Sequence, residues 1–338
     1  MILLTGATGY IGSHIWIELL RGSKPVIGLD NLSNSSIDCL NAIAKISGVS
    51  PNFIQGDIRD MDILEHIFSK YQVEEVIHLA ALKDILESMS RQTEYFDVNV
   101  HGLNQLLKVM RNNGCHKIIF SSSAAVYGDK VKSPIQESAN LAPTNFYGET
   151  KLQDEQMLES EFNKSPPINS ISLRYFNVAG RHISGLLGEY EFSKSHSLFF
   201  EIEKVMKGES SELSILGDDW GTPDGTCIRD YLHVADLARG HVQALNTLNE
   251  SGGCLVLNLG LGVGKSVYEV ISTYEQISGK SIPIVIAPKR MGDVPVCFAD
   301  TNLASVLIGW NPTNFLPDIC RDSFNSCPKR VSCLKKII

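Results

Sequence analysis

A short apolar run, Ile2 to Leu4, breaks directly into Thr5-Gly6-Ala7-Thr8-Gly9-Tyr10-Ile11-Gly12, and apolar residues then recur at Ile11, Ile15 and Leu19. The pattern reads as a strand, a glycine-rich turn and an amphipathic helix, with Gly22 expected to close that helix in the left-handed conformation. Glycines at this spacing answer three separate demands. Gly6 permits the tight turn, Gly9 lets a pyrophosphate approach the backbone, and Gly12 lets the helix lie close on the sheet. The helix start, Tyr10 and Ile11 included, then offers N–H donors and a favourable dipole to an anion. A second apolar run, Val26 to Leu29, ends at Asp30, 18 positions beyond Gly12. A carboxylate there bonds ribose hydroxyls and repels a 2′-phosphate, so the expected cofactor is NAD rather than NADP.

Further apolar runs at Phe53 to Gln55, Val76 to Leu79, Ile118 to Phe120 and Ser170 to Arg174 alternate with amphipathic stretches. This rhythm predicts an α/β fold, a doubly wound parallel sheet of the Rossmann type, over residues 1–177. Beyond Asn177 the pattern loosens into polar, glycine-rich loops. The helix Leu198 to Met206 carries one apolar stripe there, and residues 178–338 are expected to form mainly a smaller α+β substrate domain, with some segments returning to the first. With 338 residues, 43% of them hydrophobic, the chain buries a sizeable core. A net charge of −8 argues against a nucleic-acid binder. The eight cysteines (39, 115, 227, 254, 297, 320, 327 and 333) are scattered without metal-ligand spacing. They read as reduced thiols. With no signal-peptide pattern at Met1 and no apolar run of membrane-spanning length, the expectation is a cytoplasmic protein with no metal and no membrane contact.

Tyr147 and Lys151 stand four apart at the start of a helical stretch, FYGETKLQDEQMLESEF, and so share a face. An ammonium beside a phenol favours the phenolate, which makes Tyr147 a candidate general base. Ser123 follows the strand Ile118 to Phe120, at the carboxyl edge where open parallel sheets bind ligands, and its hydroxyl is placed to share the proton.

The TG-x-x-G-x-x-G turn resembles that of the extended short-chain dehydrogenases. SSSAAVYGD, LRYFNVAG, DGTCIRDYLHVADLARGH and PKRMGDVP are similar to segments of the UDP-glucose (UDP-galactose) 4-epimerases, from Met1 to about Pro312. The resemblance implies Ser123, Tyr147 and Lys151 as catalytic residues of an NAD-dependent isomerase acting on a UDP-sugar. It adds cofactor contacts at Asn31, Asp57, Ile58, Leu79, Ala80, Lys83, Asn99 and Phe176. Towards the substrate it implies Asn177, Ser197 and Leu198, with Ser214 and Leu216 bordering the uracil, Arg229 and Arg290 clamping the pyrophosphate, and Asp293 and Cys297 beside them. A homodimer is implied as well. Related 4,6-dehydratases carry an Asp-Glu pair after the catalytic hydroxyl residue; Ala124-Ala125 here lacks that acid and base.

Several positions depart from the galactose-type pattern. Ala125 replaces a threonine, and His196 and Ser197 replace asparagines. Cys297 stands where strictly galactose-type enzymes carry a tyrosine, and the smaller thiol leaves room for a 2-acetamido group, so UDP-GlcNAc and UDP-GalNAc join UDP-glucose and UDP-galactose as expected substrates. Two other readings stay open: an epimerase of another UDP-sugar such as UDP-glucuronate, and a catalytically silent NAD-binding regulator.

Overall fold

The structure, a computed structural model, describes residues 1–189, 197–290 and 292–325. His196, most of the 185–195 stretch, Cys327 and Cys333 lie outside the described residues.

Six strands alternate with helices through the first half: β1 (Ile2–Thr5), β2 (Val26–Asp30), β3 (Asn52–Gln55), β4 (Glu75–His78), β5 (Lys117–Ser123) and β6 (Asn169–Tyr175). They form one sheet in the order β6-β5-β4-β1-β2-β3, and a seventh strand, Cys254–Leu259, pairs with β6 at the edge. Every neighbouring pair in this sheet is parallel. This is the doubly wound sheet predicted. The seventh strand returns from the second half of the chain, where its apolar run CLVLNL is no different in kind from a buried helical segment.

Side-chain alternation explains why both faces need helices. Ile2 and Leu4 of β1 join one apolar cluster, under the helices Tyr10–Arg21 and Val234–Ser251. Leu3 joins the opposite cluster, with Leu64, Leu106 and Leu158 from the helices Met61–Tyr71, Gly102–Asn112 and Phe146–Phe162. A strand buried on both faces is the signature of a parallel sheet.

One local expectation fails. Gly22 follows the first helix at φ −78°, not in the left-handed region. The positive φ falls on Ser23, at 54°. The chain stays helical through Gly22, whose N–H bonds to the Glu18 carbonyl, and Ser23 makes the turn by donating to Leu20.

The remaining residues build a smaller assembly. Its core holds Phe199, Ile202, Leu213, Tyr231, Val270 and Tyr274. It includes the helix Leu198–Lys207, the parallel pair Leu213–Leu216 with Ile284–Ala287, and the strand Ile228–Arg229, which lies between Lys265–Ser266 and Val296–Cys297. Among the described residues, no helix is long and apolar enough to cross a membrane.

Candidate active site

Strand order reverses between β1 and β4, and the loops after these strands face each other across the resulting crevice, where open α/β sheets bind their ligands. Gly6 sits at φ +66°, and a Cβ there would lie 2.8 Å from the Ala80 nitrogen on the opposite loop. At Gly12 a Cβ would fall 2.1 Å from the Gly6 carbonyl oxygen. Both positions are therefore closed to any larger residue. Gly9 differs: its φ is −68°, and a Cβ would meet only the Gly6 oxygen, at 3.3 Å. The chain itself does not demand a glycine there, whereas a ligand seated on the turn would. The following helix starts with no side-chain cap and no acidic residue in its first turn, leaving its N–H groups directed at the crevice.

Asp30 closes β2 with 8% exposure. Its carboxylate accepts from the Thr8 N–H at 3.1 Å, the Leu32 N–H at 2.9 Å and the Ser35 hydroxyl at 3.2 Å. These bonds fix it at the edge of the crevice, where a ribose hydroxyl would approach. Glycine cradle, uncapped helix and buried carboxylate together fit an adenine dinucleotide. Asn31 donates to Asp57 at 2.9 Å, and the Arg59 guanidinium holds the Asp57 carboxyl well below the usual range. Ile58 is buried. Leu79 and Ala80 both hydrogen-bond the Thr5 hydroxyl through their N–H groups, tying the loop after β4 to the turn after β1. Lys83 pairs with Glu189 at 3.3 Å. Asn99 is buried and braces this loop, accepting from the Leu82 N–H and donating to the Leu82 carbonyl and the Thr150 hydroxyl.

The same cleft is walled by Gly6, Gly9, Asp30, Lys83, Tyr147 and Lys151. Tyr147 and Lys151 project from the first turns of the helix Phe146–Phe162, which Asn145 caps by accepting from the Gly148 N–H at 2.8 Å. Ser123 ends β5, its hydroxyl accepting from the Ala125 N–H at 3.1 Å. Burial pushes the Tyr147 phenol up to about 12, and a hydrogen bond with Ser123 pulls it part of the way back. The expected depression by Lys151 is not what the geometry gives. The ammonium stands 6.0 Å from the Tyr147 ring centre and 4.6 Å over the face of Phe120, and its own pKa is lowered by burial. Loss of water outweighs the mutual attraction of the two groups.

A second group gathers on the smaller assembly. Arg290 makes a two-pronged bond to Asp293, at 3.1 and 2.8 Å, and Arg229 approaches the same carboxylate at 3.7 Å. Cys297 lies in parallel register beside Arg229; burial raises its thiol pKa. Asn177 links the two groups. It follows Phe176, which is buried against Val126 and Tyr127, and its N–H bonds to the Asp230 carbonyl at 2.9 Å. Ser197 caps the helix Leu198–Lys207 and donates to Glu189 at 2.6 Å. Ser214 and Leu216 are exposed on their strand.

Sequence reasoning missed three buried groups. Glu155 accepts from Ser122, beside Ser123, and takes a two-pronged bond from Arg174 at 2.9 and 2.6 Å. Asp230 accepts three backbone N–H groups, from Leu261, Gly262 and Ala299, and burial raises its pKa to about 6. Asp154, one turn beyond Lys151, is 1% exposed. A signal existed for Glu155 and Asp154: both fall on the inward face of a helix otherwise marked by Tyr147 and Lys151. Nothing local marks Asp230, whose partners are up to 69 residues away.

A Rossmann-type sheet with a cradle, a ribose carboxylate and a Ser, Tyr and Lys grouping defines a nucleotide-dependent enzyme of the short-chain dehydrogenase kind. Residues 2–260 match the model of the NAD dependent epimerase/dehydratase family, and the chain belongs to that family. A UDP-glucose 4-epimerase of Bacillus subtilis (strain 168) is 42% identical over 96% of this chain and 95% of its own length. Among solved structures, the UDP-glucose 4-epimerase of Stenotrophomonas maltophila, with bound NAD and formylated UDP-arabinopyranose, superposes with a TM-score of 0.94 at 39% identity, covering 96% of this chain and 97% of that one. The enzyme of Bifidobacterium longum, in complex with NAD+ and UDP, gives a TM-score of 0.91 at 41% identity over 96% and 97% of the two chains.

Proposed function

We propose that this chain is an NAD-dependent UDP-hexose 4-epimerase, interconverting UDP-glucose and UDP-galactose through a transient 4-keto sugar. The observation that carries this reading is the meeting of Tyr147 and Lys151 with the glycine cradle and Asp30 in one cleft. Gly6, Gly9, Gly12 and Asp30 would hold NAD, which when bound would supply a reversible hydride acceptor beside sugar C4. Tyr147 takes the C4 hydroxyl proton as C4 is oxidised and gives it back when C4 is reduced from its opposite face. Ser123, which draws the Tyr147 phenol back towards its ordinary range, is placed to share the proton, and Lys151 opposes the developing phenolate charge.

Inversion requires a sugar free to turn and a nucleotide that is not. Arg229 and Arg290, both already drawn to Asp293, suit a pyrophosphate anchor, because guanidinium forks match multi-oxygen anions. Binding energy spent there holds the keto sugar without locking its ring. Asn177, Ser197, Leu198, Ser214 and Leu216 complete the nucleotide side of this reading, and the division near residue 177 separates cofactor from substrate binding. Cys297 beside Arg229 supports a pocket that also admits the N-acetylated sugars. Six free cysteines among the described residues support a reducing, cytoplasmic setting. The exposed Ile85, Leu86, Met89 and Phe96, close together in sequence on consecutive helical segments, support a homodimer.

The test is turnover of UDP-galactose by purified protein, with product separated from substrate. Tyr147→Phe is expected to lower kcat by about 10²- to 10⁴-fold, the usual worth of a general acid–base group. Activity of Tyr147→Phe equal to that of the wild type overturns the assignment. The same assay distinguishes an enzyme from a silent regulator.

A further inference from the structure

The helix that carries Tyr147 and Lys151 buries an unusual face. Its buried residues are Gly148, Thr150, Lys151, Asp154, Glu155 and Leu158, so charged side chains occupy positions where a helix packed on a sheet ordinarily places apolar ones. Tyr147, Lys151, Asp154 and Leu158 follow at spacings of four, three and four, which aligns them along one side. One of the three charges is accounted for by local partners. Glu155 is matched by Arg174 and Ser122.

Asp154 is not matched in this way. Both its carboxylate oxygens are fully buried and neither has a hydrogen-bond partner among the described residues. A carboxylate stripped of water and left without donors is costly, and it stays ionised only against a compensating charge, otherwise taking up a proton. The neighbouring elements bring none to spare. On β4, His78 is bonded to Thr5 at 2.7 Å and kept neutral by burial, its pKa lowered to about 3. On β6, Arg174 is held by Glu155. On the segment Phe96–His101, Asp97 is paired with Arg59 at 2.6 Å and His101 is bonded to Gln105. Tyr95 on the preceding helix bonds the Asp84 carbonyl and Glu87. β5 contributes serine hydroxyls and Phe120, the Tyr127 phenol beyond it donates to Asn258 and accepts from Arg174, and Cys254 on the edge strand accepts from the Ser170 hydroxyl. The charges that bear on Asp154 are Lys151, one turn away, and the already neutralised Glu155.

We propose that Asp154 is the counter-charge of Lys151, a positioning residue that acts across the buried interior rather than through a direct ion pair and keeps the ammonium charged for its work on Tyr147. Burial lowers the pKa of Lys151, and Asp154 is the foremost group opposing that fall; burial in turn raises the pKa of Asp154. The two groups titrate as one unit. As pH rises, the first proton leaves Asp154, and the charge so created holds the second on Lys151. Without the carboxylate, Lys151 loses its proton at a lower pH, and with it the charge that favours the phenolate. This rests on the roles of Lys151 and Tyr147 proposed above.

The experiment uses full-length protein as purified, with its lysines labelled with ¹³C at Cε and the Lys151 signal identified by its loss in Lys151→Met. In Asp154→Asn the Lys151 titration is expected to fall by about one pH unit or more, a tenfold loss of proton affinity. Asp154→Glu should stay near the wild type, and the alkaline limb of kcat should move with the Lys151 midpoint. Titration of Asp154→Asn within about 0.3 pH unit of wild type overturns the proposal, whatever its stability. If Asp154→Asn does not fold, the wild type decides through ¹³Cγ-labelled aspartate. Asp154 ionising before Lys151 supports the pairing; a carboxyl still neutral at the Lys151 midpoint refutes it. None of these titrations depends on Tyr147→Phe losing activity, so failure of either idea is seen separately.

Discussion

Gly9 and Gly12 lie three residues apart in one turn, yet the structure gives them different reasons to be glycine. At Gly12 an alanine Cβ would sit 2.1 Å from the Gly6 carbonyl oxygen and 3.0 Å from its carbonyl carbon. Ordinary contact begins near 3.4 Å. The turn and the helix must therefore separate by about 1 Å, and the atoms in the way are backbone, not a side chain able to rotate. Overpacking of this kind costs about 1–3 kcal/mol. At Gly9 the backbone is extended and accepts any residue, and a Cβ presses only lightly on one oxygen, at 3.3 Å. The loss of a glycine N-cap and the gain from a less flexible unfolded chain nearly cancel, leaving a change of less than about 1 kcal/mol. The added methyl instead fills the space above the turn where a pyrophosphate would rest. Gly12→Ala is thus expected to lower both the Tm of cofactor-stripped protein and its affinity for NAD. Gly9→Ala should weaken NAD binding at least about tenfold, or 1.4 kcal/mol, with Tm held within a few degrees. Differential scanning fluorimetry and calorimetric titration with NAD measure the two quantities separately. Wild-type NAD affinity in Gly9→Ala would refute the placement of the dinucleotide on this turn.

Three further outcomes are expected. Cys297→Tyr should abolish turnover of UDP-GalNAc while sparing UDP-galactose, by assay of the two substrates side by side; equal activity on both would remove the pocket argument. Glu155→Gln strips one charge from its buried pair with Arg174, 3% exposed, and should cost about 3–5 kcal/mol in urea unfolding. Asp230 titrates near 6 when folded against an ordinary 3.8, so it holds its proton more tightly in the native state. Stability from this group is then greatest below pH 4 and falls as pH rises to 6, by about 3 kcal/mol in all. Wild type should lose about 2 kcal/mol of that relative to Asp230→Asn between pH 4 and pH 6.5, measured by denaturant unfolding at each pH.

Residues close in sequence announced most of the nucleotide half. The run from Ile2 to Gly12 encodes strand, turn and helix within a dozen positions, because each demand is local: backbone freedom at Gly6, a period of two, then a period near four. Tyr147 and Lys151 were legible for the same reason, since one helical turn fixes their shared face. Their electrostatics were not. Whether an ammonium lowers a phenol's pKa or burial raises it depends on how much water the fold removes, and that is set by Phe120 and the sheet beneath rather than by the four-residue spacing. The edge strand Cys254–Leu259 was equally silent, because its pairing with β6 is a choice among partners some 84 residues apart. Asp230 became a three-donor hub only when Leu261, Gly262 and Ala299 arrived around it. Periodicity and glycine placement, which act over a few bonds, are written in the chain itself. Desolvation and long-range pairing come into being only when distant segments close over one another, so only the tertiary structure could decide which buried charges of this protein have partners and which, like Asp154, face another charge alone.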